Sequence, residues 1–164
     1  MLRLALVLAF LSWPITLSAT PLDKALPGAV QRGQATFSYF GVPLYDARLF
    51  TLGGAKLDWQ QDFALELKYK RRLSENDLIQ ATLREMARMG GQVPIASQLA
   101  TCFQDVNRSD TYLAITDGPD RIRFWRNGQP TCTLSYPRIK RRFMDIFLGQ
   151  KTQSARFTRR LKGM

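Results

Sequence analysis

Tyr45 lies in a stretch whose residue pattern alternates as in a β-strand, and its hydroxyl could form a hydrogen bond with a ligand. The segment from Val42 to Thr51 is expected to form a strand, in which successive side chains point to opposite faces. Tyr45, Ala47 and Leu49 therefore share one face. The small side chain of Ala47 leaves room beside the strand, and the phenol offers a hydrogen-bond donor there. This face suits the wall of a ligand cavity, and it equally suits an ordinary core strand.

The composition excludes several common kinds of active site. The chain has 164 residues and no histidine, so it lacks Ser-His and Cys-His nucleophilic pairs and the usual zinc ligands. Its two cysteines, Cys102 and Cys132, do not have the spacing of a metal motif. We therefore expect no metal and no cofactor. In an exported protein the two cysteines either form a disulfide or remain as buried free thiols.

The charge of the chain favours anionic partners. There are 24 Lys and Arg against 13 Asp and Glu, a formal net charge of +11. Such an excess attracts anionic lipid surfaces, nucleic acids and acidic small molecules. Because an exported protein meets little nucleic acid, we expect a lipid surface or a small anionic ligand and no nucleic acid. The segment from Arg138 to Lys162 is especially basic, with Asp145 as its one acid. The oligomeric state is not indicated.

The N-terminal segment has the plan of a secretory signal peptide. Arg3 precedes an apolar run from Leu4 to Trp13, Pro14 breaks the run, and small residues follow up to Ala19. The run is too short for a membrane-spanning helix, which needs about 20 apolar residues. We expect residues 1–19 to be cleaved on export to the periplasm and residues 20–164 to form a single domain. An uncleaved membrane anchor is the alternative.

The remaining sequence predicts strands and helices in an order typical of α+β proteins. Turn signals and alternation predict these strands: 28–40, 42–51, 63–70, 111–116, 121–126 and 130–136. A helix is expected from the N-cap Ser74, with Asp77 completing a capping box, to Gly90. Further helices are expected from Pro94 to Cys102, from Pro137 to Gly149, and from Thr152 onward.

The helix after Pro137 is expected to be amphipathic, with Ile139, Phe143 and Phe147 facing inward. Arg138, Lys140, Arg141 and Arg142 should cover much of its outer side. The order of elements predicts a large antiparallel sheet with helices packed mainly on one face.

Five short motifs, taken in order, resemble those of bacterial exported chalcone isomerase-like proteins. The resemblance extends from Gln34 to Gly163, and its motifs are Tyr39–Phe50, Phe63–Ser74, Phe103–Asp110, Phe124–Gly128 and Phe143–Gly149. It implies the chalcone isomerase-like fold, an open-faced β-sandwich. This implied fold agrees with the α+β class predicted from the element order.

The resemblance implies two possible activities. The plant enzymes cyclise a chalcone by intramolecular addition of a phenolate to an enone, which needs cations and donors where charge develops. The other branch binds fatty acids, with an Arg and a Tyr holding the carboxylate in an apolar cleft. On this sequence Arg32 and Tyr45 are the candidates for that pair, with Ala47 and Leu49 beside them. Tyr45 stands where the plant enzymes carry a threonine, which favours the fatty-acid branch.

Three hypotheses follow from the sequence. The first is a non-catalytic periplasmic binder of an anionic amphiphile such as a fatty acid. The second is an interaction protein that uses its basic C-terminal surface at an anionic membrane or a partner. The third is an intramolecular lyase, or isomerase, acting on a chalcone-like enone.

Overall fold

The computed structural model describes residues 19–164, which form a six-stranded antiparallel sheet and five helices. The predicted signal peptide lies outside the described residues, apart from Ala19. The elements are α1 (Pro21–Ala25), β1 (Ala29–Tyr39), β2 (Val42–Leu52), β3 (Ala64–Tyr69), α2 (Glu75–Gly90), α3 (Ala96–Cys102), β4 (Thr111–Thr116), β5 (Arg121–Arg126), β6 (Gln129–Ser135), α4 (Ile139–Leu148) and α5 (Ala155–Leu161).

The strands lie side by side in chain order, from β1 to β6, and every neighbouring pair is antiparallel. In the register of β2 and β3, Tyr45 lies opposite Tyr69 and Leu49 lies opposite Leu65. Because strand side chains alternate, these residues point to one face, where they join the main hydrophobic core with α2 to α5. The predicted α+β class, with helices mainly on one face, is confirmed.

The opposite face of the sheet is largely open. Ala64, Leu113 and Ile115 form a small apolar cluster there, covered by Leu22 and Leu26 at the N-terminal end of the domain. Leu22 belongs to α1, a helix that was not predicted from the sequence. Its N-cap carries the same kind of signal as that of α2, with a threonine at the cap and an aspartate three positions later.

Helix α2 is formed as the sequence predicts. The Ser74 side chain accepts a hydrogen bond from the Asp77 amide, and the Asp77 carboxylate accepts from the Ser74 backbone. These contacts satisfy amide groups that have no partner within the helix. The helix ends at Gly90, and Gly91 follows with a φ of +94°. Its buried residues, Ile79 and Met86, belong to the main hydrophobic core.

The C-terminal helices differ from the prediction in their starting points. Helix α4 begins at Ile139, because Arg138 has a left-handed backbone with a φ of 59° and acts as the N-cap. Pro137 is therefore outside the helix, and its predicted place at the first helical position is wrong. Helix α5 begins at Ala155, where the Ser154 side chain accepts a hydrogen bond from the Phe157 amide.

Lys140 is buried, and the prediction that it covers the outer side of α4 is wrong. Its Nζ donates to the carbonyl oxygen of Gln61 at 2.7 Å and lies 3.3 Å from the Asp62 carboxylate. The long aliphatic stem of lysine allows the ammonium group to reach polar partners across a helix–loop contact. Arg141, the next residue, stays exposed and pairs with Asp145.

Cys102 and Cys132 are joined in a disulfide that ties α3 to β6, with their Cα atoms 5.0 Å apart. Of the two alternatives left open by the sequence, the structure has the paired form. Across residues 19–164, none of the helices is both long enough and apolar enough to cross a membrane.

Candidate functional site

A cavity of about 440 Å³ lies between the covered face of the sheet and helices α2, α4 and α5. Ligand sites for small molecules usually have volumes of about 300–1,000 Å³, so this cavity is of the appropriate size. Its wall is mostly apolar, with contributions from both layers: Leu65, Phe124, Leu78, Ala81, Phe143 and Phe157.

Aromatic rings from four elements surround Tyr45 at one side of the cavity. Its ring stacks on Phe37 of β1 with centroids 5.3 Å apart. It also makes edge-on contacts with Phe157 of α5 at 6.2 Å and Phe147 of α4 at 6.3 Å. Offset-stacked and edge-to-face arrangements suit the charge distribution of aromatic rings, so these contacts fix the position of the phenol.

Besides that of the half-exposed Tyr39, two phenol groups of the cavity wall have no hydrogen-bond partner among the described residues. They belong to Tyr45 and to Tyr69, whose rings meet edge-on with centroids 6.1 Å apart. Burial raises the pKa of the Tyr45 phenol far above its ordinary value, and burial likewise raises the pKa of the Tyr69 phenol. Both groups therefore stay protonated at physiological pH and are available as neutral hydrogen-bond donors.

Tyr112 also lines the cavity, but its hydroxyl is occupied. It accepts a hydrogen bond from the Gln104 amide at 2.8 Å and donates to the Cys102 carbonyl oxygen at 3.3 Å. Tyr112 thus has a structural role in holding the segment after α3. Unlike the Tyr112 hydroxyl, those of Tyr45 and Tyr69 remain available to a ligand.

The charged residues of the cavity wall come from α2. The Asp77 carboxylate is occupied by the capping contacts with Ser74, which lower the pKa of that carboxyl. Glu85 pairs with Arg88 at 2.7 Å. Arg84 is exposed, and no carboxylate among the described residues lies within ion-pair distance of it. Arg84 is therefore the cation at the rim that remains available to an anionic group.

Arg32 lies elsewhere, and the structure does not bring it together with Tyr45. Its Nε donates to the Lys162 carbonyl oxygen at 3.1 Å, and its Nη2 donates to that of Gly163 at 3.2 Å. About 16 Å of extended strand separates Arg32 from Phe37, the β1 partner of Tyr45. The guanidinium is drawn to these carbonyl groups because the last carbonyls of a helix have no amide partner within it.

Of the other predicted site residues, Tyr45 lines the cavity, whereas Ala47 and Leu49 do not. Ala47 and Leu49 have exposed fractions of 0% and belong to the hydrophobic core. Arg84 was not predicted from the sequence, since an arginine on a helix surface carries no distinguishing signal. Tyr69 lies in the predicted strand 63–70, and only the register of β2 and β3 shows that it neighbours Tyr45.

Within residues 19–164, His, Cys, Asp and Glu side chains nowhere gather in a group of three or more that would hold a metal ion. The hydrogen-bonding groups at the cavity are thus the phenols, Arg84 and the side chains at the rim.

Comparison with known proteins shows the fold. No protein-family model matches the sequence, and no curated protein matches it significantly. Among solved structures, the chain is similar to a fatty-acid binding protein of Arabidopsis thaliana, AtFAP1. The TM-score is 0.65 over 83% of this chain and 87% of the other, with 10% sequence identity. At this identity the similarity concerns the fold alone, and it shows that the chain has the chalcone isomerase-like fold.

Proposed function

We propose that the chain is a non-catalytic binder of a single-tailed anionic amphiphile, such as a long-chain fatty acid. The observation that carries this proposal is the cavity, which is large and mostly apolar and includes the unpartnered phenols of Tyr45 and Tyr69 in its wall. An acyl chain removes apolar surface from water when it enters such a space, and each buried methylene group contributes about 0.8 kcal/mol.

The polar head of the ligand would lie at the rim, next to α2. A carboxylate buried without a cation is costly, whereas a guanidinium can bind it through two parallel hydrogen bonds. Arg84 offers this group at the rim, and Asp77 and Glu85 are already occupied by their own partners. The Tyr45 hydroxyl provides a further neutral donor inside the cavity.

Two further features support the proposal. The net charge of +11 attracts anionic ligands over a distance, before any contact forms. The structural neighbour from Arabidopsis thaliana is described as a fatty-acid binding protein. Together with the signal-peptide pattern of residues 1–19, these features lead us to propose that the protein carries its amphiphile in the periplasm.

The test is a titration of the purified, delipidated protein with palmitate, followed by calorimetry and by the melting temperature. We expect saturable binding and a rise in melting temperature, because a ligand that binds only the folded state stabilises it. Native mass spectrometry of gently purified protein should also show a co-purified lipid. If palmitate and related fatty acids neither bind nor raise the melting temperature, the proposal is wrong.

A matched pair of variants locates the binding. Ala81→Phe places a large ring in the cavity from α2 and should abolish binding while the protein remains folded. Ala100→Phe makes the same chemical change at an exposed position of α3 and should leave binding intact. Equal affinities in the two variants would show that palmitate binds outside the cavity.

A further inference from the structure

The turn between β1 and β2 contains a phenylalanine, Phe40, in a backbone conformation that disfavours it. Tyr39 pairs with Val42, so Phe40 and Gly41 form a two-residue turn, with φ of 47° and 77°. Such turns require positive φ at both positions, which suits Asn-Gly. A left-handed backbone is sterically unfavourable for phenylalanine, because the Cβ atom crowds the backbone.

The turn between β5 and β6 in the same chain provides an internal comparison. Asn127 and Gly128 occupy it with φ of 49° and 80°, nearly the same backbone. There the sequence has the favoured residues. The phenylalanine at position 40 is therefore not required by this turn geometry.

The side chains at the β1–β2 turn are also exposed to an unusual degree. The exposed fractions are 89% for Phe40, 52% for Tyr39 and 40% for Val42. The rings of Tyr39 and Phe40 pack edge-on, with centroids 4.5 Å apart, and form a projecting apolar tip. We call residues 39–42 the aromatic tip. Backbone strain and solvent exposure both oppose Phe40 in the isolated fold, so its advantage must lie in contact with something else.

Cations border the aromatic tip. The segment that follows β3 lies beside it, since the Lys70 amide donates to the Leu44 carbonyl oxygen at 2.9 Å. This neighbourhood includes Lys68, Lys70, Arg71 and Arg72. Asp46 pairs with Lys70 at 2.8 Å, and Asp105 lies 3.5 Å from Arg72. Among the described residues, no carboxylate lies within ion-pair distance of Lys68 or Arg71, so the surface around the tip has a net positive charge.

We propose that the aromatic tip docks the protein on an anionic phospholipid membrane. Phe40 and Tyr39 would enter the interface between head groups and acyl chains, where amphipathic aromatic rings are favoured. Lys68 and Arg71 would meet the anionic head groups. A second copy of the chain is a poor occupant, because two such tips would bring like charges together.

Docking in this orientation also places the cavity at the membrane. Tyr39 belongs to the aromatic tip and lines the cavity as well, so the tip and the cavity opening are continuous. A lipid leaving the bilayer would reach the cavity without crossing bulk water. Docking itself needs no ligand in the cavity, so its test is independent of the proposed fatty-acid binding.

The test is sedimentation with vesicles made of equal amounts of phosphatidylglycerol and phosphatidylcholine, without free fatty acid. Phe40→Asn replaces the ring with the residue that the turn favours, so it should preserve or raise stability. We expect it to weaken vesicle binding about tenfold or more, since the buried area of a phenylalanine is lost from the interface. Val30→Thr, which changes an exposed apolar residue at the far end of β1, should have no effect.

A second pair of variants tests the charges. Arg71→Gln should weaken binding about fivefold at low salt, the contribution of one cation near an anionic surface. Lys56→Gln removes an equal charge from the loop between β2 and β3, at the opposite end of these strands, and should change binding much less. The original protein and all variants must begin at the same residue, because residues 4–13 are apolar and would bind vesicles themselves wherever they are retained.

Three results would overturn the proposal. The first is undiminished vesicle binding by Phe40→Asn. The second is equal binding to pure phosphatidylcholine and to the anionic vesicles. The third is loss of a dimer in Phe40→Asn, seen by analytical ultracentrifugation without vesicles, while its vesicle binding stays normal. That last result would make the aromatic tip a contact between two copies of the chain.

Discussion

Arg32 binds the end of the last helix: its Nε donates to the carbonyl oxygen of Lys162 at 3.1 Å. The neighbouring Gly33 allows this contact, because a Cβ atom at that position would lie 2.4 Å from the Leu161 carbonyl oxygen. β1 and the end of α5 therefore meet through their backbones. An arginine that the sequence suggests as a carboxylate ligand instead fastens α5 to the sheet.

The first prediction concerns Arg32→Gln. The substitution removes hydrogen bonds to the Lys162, Gly163 and Gly54 carbonyl oxygens, and should lower the free energy of unfolding by about 1–3 kcal/mol. Its affinity for palmitate should stay unchanged, because Arg32 does not line the cavity. Urea unfolding and a palmitate titration of the same samples would check both parts.

Arg84→Gln should have the opposite effects to Arg32→Gln, with little change in stability and a loss of palmitate affinity. Arg84 is exposed and has no carboxylate partner among the described residues, so its loss should change stability by no more than about 0.5 kcal/mol. Palmitate affinity should fall about tenfold, as expected when a charge-assisted hydrogen bond to a carboxylate is removed. If Arg32→Gln loses the affinity and Arg84→Gln keeps it, our assignment of the head-group site is wrong.

The second prediction uses Tyr45→Phe. The Tyr45 hydroxyl has no partner within the described part of the chain, so its removal should leave the free energy of unfolding within about 0.5 kcal/mol of the original. Palmitate affinity should fall about fivefold, the contribution of one neutral hydrogen bond. Calorimetry at fixed pH would measure the affinity.

Tyr112→Phe is the matched control for Tyr45→Phe. The same atom is removed from the same cavity wall, but this hydroxyl holds Gln104 and Cys102. We expect a loss of about 1–2 kcal/mol in stability and a smaller change in affinity than for Tyr45→Phe. A stability loss in Tyr45→Phe as large as that in Tyr112→Phe would show that the Tyr45 hydroxyl already has a structural partner.

The third prediction is a loss of stability in alkaline solution. In the unfolded chain a tyrosine titrates near pH 10, whereas burial raises the pKa of Tyr45 and of Tyr69 in the folded protein. Above about pH 10 the unfolded chain therefore binds fewer protons than the folded one, and stability falls by about 1.4 kcal/mol per pH unit for each phenol. Below that pH this contribution is fully present.

Urea unfolding at increasing pH would measure the alkaline decline. The double variant Tyr45→Phe/Tyr69→Phe should show a shallower slope, because, among the described residues, Tyr112 is then the one phenol left whose pKa burial raises. An equally steep decline in the double variant would assign the effect to other groups.

Elements whose signals are local could be predicted from the sequence, and α2 shows why. Each end of α2 is set by residues close together in the sequence, Ser74 with Asp77 at the start and Gly90 with Gly91 at the end. Both ends of the helix could therefore be predicted. The start of α4 could not be predicted in this way. Pro137 suits a first helical position, but the Ile139 amide donates to the Tyr136 carbonyl oxygen and Arg138 takes a left-handed backbone.

The candidate site depended on contacts between distant segments, and the sequence predicted only part of it. Strand alternation is local, so the sequence could place Tyr45 on the face that lines the cavity. The contacts of Arg32 could not be predicted, because its partners, at the end of α5, are known only once the chain is folded. Arg84 shows the converse case, in which an ordinary surface position on a helix meets the cavity only through the packing of α2 on the sheet.

The fourth prediction concerns the disulfide. Cys102 and Cys132 are separated by 30 residues, and closing a loop of this length limits the unfolded chain. Reduction should therefore lower the free energy of unfolding by about 3–4 kcal/mol. Urea unfolding with and without dithiothreitol would measure it, and a thiol assay on the denatured, unreduced protein should find no free cysteine. Two free thiols in that assay would contradict the pairing.

The last prediction is that export removes residues 1–19 and leaves Thr20 as the first residue. The Thr20 hydroxyl accepts a hydrogen bond from the Asp23 amide, and the Thr20 amide donates to the Asp23 carboxylate at 3.0 Å. Cleavage after Ala19 turns that amide into an ammonium group, which keeps the contact and strengthens it with a charge. Intact-mass measurement of the protein recovered from the periplasm should therefore give Thr20 as the first residue.

Cleavage further along the chain would damage the domain. A cut after Pro21 removes the cap of α1 and its first helical residue, and it frees the segment that covers Ala64, Leu113 and Ile115. A variant beginning at Leu22 should thus be less stable than one beginning at Thr20, by about 1 kcal/mol for the lost cap alone. An intact Met1 on the exported protein would show instead that residues 1–19 remain as an anchor.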